Sequence, residues 1–196
     1  MKKLEKIKRL YLFVDTINAF CRVGAMSYSK VLETVPHLLT LINIALKDEA
    51  GQIGFIKDWH TLGCREFDRY PVHSLANTIE SEVIEELKPF EKEALIYKKN
   101  STSAIFAKGF MEDIKRLRQL EEIVIAGWCT DICDMNLAIP LQNYFDENDK
   151  RVNIIIPKNA VDTFDAPNHQ KEEYNEMAFK LMQQAGIKLV RKYERR

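Results

Sequence analysis

Hydrophobic and polar positions along the chain fall into two alternating textures. Short runs dense in apolar and β-branched residues, YLFVD (11–15), QIGFIKD (52–58), LIYKK (95–99), EIVIAGW (122–128), VNIIIP (152–157) and IKLV (187–190), have the length of strands buried on both faces. Longer segments with helical spacing lie between them. Val35, Leu38, Leu39, Ile42 and Leu46 recur at that spacing before Gly51, and residues 108–120 and 170–185 do the same, the last stopping at Gly186. A further helix is expected after Thr130, with Pro140 inside it, where proline should kink it. Repeated strand–helix units predict a single α/β domain over residues 1–196. Its mainly parallel six-stranded sheet would carry helices on both faces, in a Rossmann-like three-layer arrangement. Residues 59–80 form the long connection without a clear period, and long ordered loops in compact domains are often functional.

Composition narrows the function classes. With 196 residues, 46% hydrophobic and 30% charged, the chain reads as globular and can bury a substantial core. Lysine plus arginine number 29 and so do aspartate plus glutamate, so no global basic field points to nucleic acid. No segment approaches the ~20 apolar residues of a membrane span. The apolar run after the basic start MKKLEKIKRLYLFVD is broken by Asp15, too early for a signal peptide, and the cytoplasm is the expected location. Four cysteines (Cys21, Cys64, Cys129, Cys133) in a chain of this length do not suggest a disulfide scaffold.

In open parallel sheets, ligands bind beyond the carboxyl ends of the strands. The predicted ends carry Asp15, Asp58, Lys98-Lys99 and, after EIVIAGW, Cys129 and Cys133. Two carboxylates, an ammonium and a thiol would thus share one rim. The two cysteines of GWCTDICDM suit a redox pair, half a zinc site or a catalytic nucleophile. If Thr130 caps the following helix, Cys133 lies in its first turn, where free N–H groups and the helix dipole favour a thiolate and a lowered pKa. The plain alternative is a small buried thiol packing as an apolar residue.

A second constellation is DWHTLGCREFDRYPVH, residues 58–73. Asp58, His60, Glu66 and His73 supply two carboxylates and two imidazoles, a donor set that suits zinc, with manganese or iron as alternatives. Cys64 and Asp68 are rival ligands. Phe20, Tyr70 and Phe106 flank the same rim and could sandwich a flat ring.

Taken in order, the strand-end DTINAF, DWH, PVH, the lysine before STSA and GWCTDIC resemble the isochorismatase-like cysteine hydrolases, and within them the nicotinamidases. The resemblance runs from LYLFVDTINAF to NAVDTFDAPNH. It implies an isochorismatase-like fold, Cys133 as nucleophile, Asp15 as acid/base and a lysine of YKKN as third member. Lys99 is preferred over Lys98 for its spacing to Ala104. It further implies Asp58, His60, Glu66 and His73 as ligands of one divalent metal ion, zinc first. The backbone amides of Cys129 and Cys133 would form an oxyanion hole beside a cis peptide joining Trp128 to Cys129, and Phe20, Tyr70 and Phe106 would bind the ring. Asp134 stands where the family usually has an apolar residue, and Ser74 where nicotinamidases often have cysteine.

The activity implied is metal-dependent hydrolysis of nicotinamide to nicotinate and ammonia through a thioester, as in NAD salvage. Nucleic acid and membrane are not expected as partners, and a homo-oligomer is the general expectation. One alternative keeps the cysteine chemistry with another amide or carbamoyl substrate. Another is a catalytically silent binding or redox protein using Cys129 and Cys133.

Overall fold

Strand β1 (Arg9–Val14) sets the pattern of the molecule. Successive side chains of a strand point to opposite faces, so Leu10, Leu12 and Val14 enter one apolar core while Tyr11 and Phe13 enter another. Both faces are covered, and for that reason the strand reads as an unbroken apolar run. The computed structural model describes residues 4–195. Strands β2 (Gly51–Asp58), β3 (Leu95–Lys99), β4 (Glu122–Trp128), β5 (Asn153–Pro157), β6 (Val161–Asp162) and β7 (Lys188–Val190) complete a sheet of order β3-β2-β1-β4-β5-β7, with β6 pairing β4. Each of these pairings is parallel. Six strands were expected from the apolar runs; β6 is two residues long and leaves no hydrophobic run to find.

Helix α1 (Val35–Leu46) packs on the Tyr11/Phe13 face together with Val83, Ile84 and Leu87 of the long connection. Helices α2 (Phe110–Arg116), α3 (Met135–Glu147) and α4 (Lys171–Gln184) cover the opposite face, so the three-layer expectation is met. Fully burying a side chain such as Leu38 or Leu137 contributes about 1.5–3 kcal/mol. Helix α2 is shorter than residues 108–120, because Gly109 enters it at φ 85° and Leu117 leaves helical geometry at ψ 69°. Helix α3 runs through Pro140. Proline offers no N–H to the carbonyl four residues earlier, that of Asn136, and the Ser103 hydroxyl donates to that oxygen instead at 2.6 Å.

The sheet grows in one direction from β1 to β3 and in the other from β4 to β5. The crevice between the carboxyl ends of β1 and β4 is therefore the topological switch point, where such sheets bind ligands. Gly127 lets the two strands meet there. It sits at φ 133°, and a Cβ on it would lie 2.0 Å from the Val14 carbonyl oxygen. Among the described residues, no helix is long and apolar enough to cross a membrane.

Candidate active site

Asp15 directly follows β1, in the left-handed backbone region at φ 48°. A non-glycine residue there costs about 1–3 kcal/mol, a strain found mainly at functional sites. Its Oδ1 accepts the Asp58 N–H at 2.9 Å, which ties the ends of β1 and β2 together. The β2–β3 register then sets Asp58 beside Lys99. Lys99 is 2% exposed. Its ammonium lies 2.8 Å from Asp15 Oδ2, bonds Asp58 Oδ1 and lies 3.6 Å from Cys133 Sγ. Strand alternation sends Lys98 to the other face, where its ammonium sits 3.5 Å from the centre of the Trp59 ring. Asp15, Lys99 and Cys133 are thus brought together, with Lys99 as their hub.

Cys133 lies in a π-helical turn, Thr130–Asp134, that precedes α3. Turns of this kind recur at functional sites. Thr130 does not cap it: the N-cap is Cys129, in extended geometry and without a side-chain cap, and the Thr130 hydroxyl is buried with no hydrogen-bond partner. The Trp128–Cys129 peptide is cis, as the resemblance implies. The expectation of a lowered Cys133 pKa is overturned. Burial pushes the thiol well above its ordinary value; Lys99 opposes this, but Asp15 and Asp58 reinforce it. Helix-terminus attraction is outweighed by desolvation and two carboxylates, so the resting group is a neutral thiol.

Asp15 is poised to receive that proton. Burial, then the Asp58 charge, raises its carboxyl to about 6 against the pull of Lys99. Asp58 goes the other way: burial would raise it, but Lys99, His60 and His73 outweigh that and hold it ionised. Asp134 is fully buried, and neither carboxyl oxygen has a hydrogen-bond partner. Burial, then the neighbouring Asp15 and Asp131, holds it well above the carboxylate range. Its neutral form is favoured, which removes the charge that would oppose a thiolate.

Asp58, His60, Glu66 and His73 are all buried, and one donor atom of each lies within 4.8 Å of the others. The loop converges because His60 donates its N–H to Ser74 O at 3.0 Å and accepts from Ala76 N at 2.9 Å, a short parallel bridge. Glu66 is turned inward by the 3₁₀ turn Arg65–Asp68, whereas Asp68 stays outside, paired with Arg65. His73 Nδ1 donates to Pro71 O at 2.7 Å, leaving Nε2 for the site. The Nε2 of His60 is buried with no hydrogen-bond partner, 3.4 Å from Asp58 Oδ2. Two imidazole lone pairs and two carboxylates with an orphaned nitrogen among them fit a divalent metal ion. Cys64 lies behind His60 and is not part of the set.

The Cys133 thiol opens with Asp58, Glu66 and His73 into one cavity of about 310 Å³, and His60 is buried behind its wall. Phe20 and Tyr70 line it as expected. Phe106 does not: it is 77% exposed and lies outside the cavity lining. Its motif position carries no information on where a side chain after a strand-end loop will turn. Phe164 and Tyr28, which the sequence reading missed, line the cavity instead. Phe164 stacks on His169 at 3.8 Å, and His169 bonds Asp131 of the turn that carries Cys133 at 2.8 Å. The segment NAVDTFDAPNH, part of the family resemblance, is the sequence signal that contains Phe164.

Comparison with known proteins agrees with this fold. A search of curated proteins returns no significant match. Among solved structures, N-carbamoylsarcosine amidase from Thermoplasma acidophilum is 21% identical with a TM-score of 0.77, covering 96% of this chain and 99% of that one. A pyrazinamidase/nicotinamidase from Streptococcus mutans is 19% identical with a TM-score of 0.79, covering 93% and 100%. A pyrazinamidase of Pyrococcus horikoshii, solved in complex with zinc, is 21% identical with a TM-score of 0.71, covering 93% and 98%. At these identities the structures share the fold. The isochorismatase domain model matches residues 9–192, nearly the whole chain, and this protein belongs to the isochorismatase family of hydrolases.

Proposed function

We propose that the protein is a nicotinamidase, a metal-dependent cysteine amidohydrolase that converts nicotinamide to nicotinate and ammonia, as in NAD salvage. The observation that carries this reading is the junction of two sites at one cavity: the Cys133 thiol lines it together with Asp58, Glu66 and His73 of the Asp58–His60–Glu66–His73 cluster, and Lys99 links the two through Asp58. Its walls include Phe20, Tyr70 and Phe164, suited to a flat ring. No lysine or arginine lines it among the described residues, so an acidic carbamoyl substrate would find no cationic side chain there.

Asp58, His60, Glu66 and His73 would hold the metal, zinc by donor softness. When bound, the ion would offer a Lewis-acid position to a pyridine nitrogen. Asp15 takes the thiol proton as Cys133 Sγ attacks the carboxamide carbon. The N–H groups of Cys129 and Cys133 receive the oxyanion, each such donor typically worth about 2.7–4 kcal/mol. Asp15 returns its proton to the departing nitrogen, ammonia leaves, and a thioester remains. Asp15 then draws a proton from water, which attacks the thioester; nicotinate is released and the thiol is restored.

The direct test is ammonia release from nicotinamide by the purified protein. Turnover is expected to vanish on chelation and return with one divalent metal. A fully metallated, Cys133-reactive protein that leaves nicotinamide untouched would move the reading to another amide.

The pH profile provides a second check. Asp15 works as a base only when ionised, and its pKa is raised, so kcat/KM is expected to rise with pH through about 6. An acid limb near the ordinary aspartate value of about 4 would overturn this role.

A further inference from the structure

We infer that Asn100, together with Cys64, is a positioning residue that locks His60 in the Nδ1–H tautomer and so aims its Nε2 lone pair at the metal. This inference rests on the metal-dependent reading above. His60 Nδ1 lies 3.1 Å from Asn100 Oδ1 and 3.3 Å from Cys64 Sγ. An amide oxygen only accepts. The Cys64 thiol donates to the Asn100 carbonyl at 3.5 Å, so its hydrogen is engaged and the sulfur turns lone pairs toward the ring. Both neighbours of Nδ1 are therefore acceptors, and only a protonated Nδ1 satisfies them. A neutral imidazole then carries its lone pair on Nε2, the buried nitrogen left without a partner among the metal-ligand atoms.

The two histidines are oriented by different means. His73 is held by a main-chain oxygen, that of Pro71, which no substitution removes. His60 depends on a side chain, and Asn100 directly follows Lys99. One strand end thus supports both the hub of the catalytic cluster and the orientation of a metal ligand. Asn100 is exposed, so it can be replaced without opening the core.

The experiment uses the full chain, stripped of metal and titrated with Zn²⁺ against a chromophoric chelator. Asn100→Leu is expected to weaken zinc binding about 10–100-fold, the usual cost of losing such an orienting partner, with the melting temperature of the metal-free protein unchanged. Asn100→Asp keeps an oxygen acceptor and is expected to bind at least as tightly as wild type. Long-range ¹H–¹⁵N spectra of the metal-free protein, recorded at alkaline pH, are expected to show His60 as Nδ1–H in wild type and shifted toward Nε2–H in Asn100→Leu. Wild-type affinity and an unchanged tautomer in Asn100→Leu would overturn the inference alone. A wild-type chain that takes up no zinc would overturn the metal-dependent reading and this inference with it.

Discussion

Replacing Cys133 with alanine is expected to reduce nicotinamide turnover by about 10⁶-fold, the scale seen when a nucleophile is removed from a group of residues that act as a unit. Nothing else in the cavity can replace it. Cys129 is the nearest thiol in sequence, but burial, then the Asp131 charge, pushes it far above the thiol range, and it is not bonded to Lys99. Binding should survive, because the ring walls and the four candidate metal ligands do not include Sγ. The sulfur fills little space in the core, so the fold should lose only about 1 kcal/mol. Isothermal titration with nicotinamide and a single-turnover ammonia assay together check this. Binding close to wild type with no product would support Cys133 as nucleophile. Turnover within tenfold of wild type would remove it from that role.

The strand ends were legible in the sequence because a parallel strand buried on both faces writes itself as an apolar run. Its final polar residue then marks the functional edge. Asp58 and Lys99 end their strands and Asp15 directly follows β1, while Cys133 lies in the turn beyond β4. The convergence of DWH with PVH was legible only as a motif; the bridge that joins His60 to Leu75 is a tertiary contact with no periodic signature. Local patterns could not say which way a side chain turns once the strand has ended. Phe106 turns outward, and Phe164, 58 residues further along the chain, takes a place on the wall. The direction of the Cys133 pKa shift is hidden for a related reason. The helix terminus is visible in sequence, whereas the burial and the two carboxylates that outweigh it are assembled only by the fold. Asn100 carried no sequence signal, because its role depends on the rotamer of a histidine forty residues earlier.

Lys99→Met is expected to be the most destabilising change at the site, costing about 3–5 kcal/mol at neutral pH. It leaves buried carboxylates without their cation, and breaking a buried ion pair by removing one partner costs on that order. For a chain of this size the melting temperature should fall by roughly 6–20 °C. The pH dependence separates this cause from a simple loss of packing. In wild type, Asp15 already sits at about 6 and Lys99 restrains it from going higher. Without the lysine, Asp15 rises further and Asp58 loses the strongest of the influences that hold it ionised. A carboxyl whose folded pKa exceeds its unfolded value of about 3.9 binds more protons in the folded state, so stability falls as pH rises between the two values. The penalty should therefore be smallest near pH ~4 and reach its full size only above the raised folded values. Urea denaturation of both proteins across that range measures it. Adding Asp15→Asn to Lys99→Met should recover part of the loss at neutral pH and little near pH ~4, since the second substitution removes a charge that acid already neutralises. A penalty that stays constant with pH would mean that Lys99 contributes only its methylene stem, and the charge hub proposed for the catalytic cluster would fall with that result.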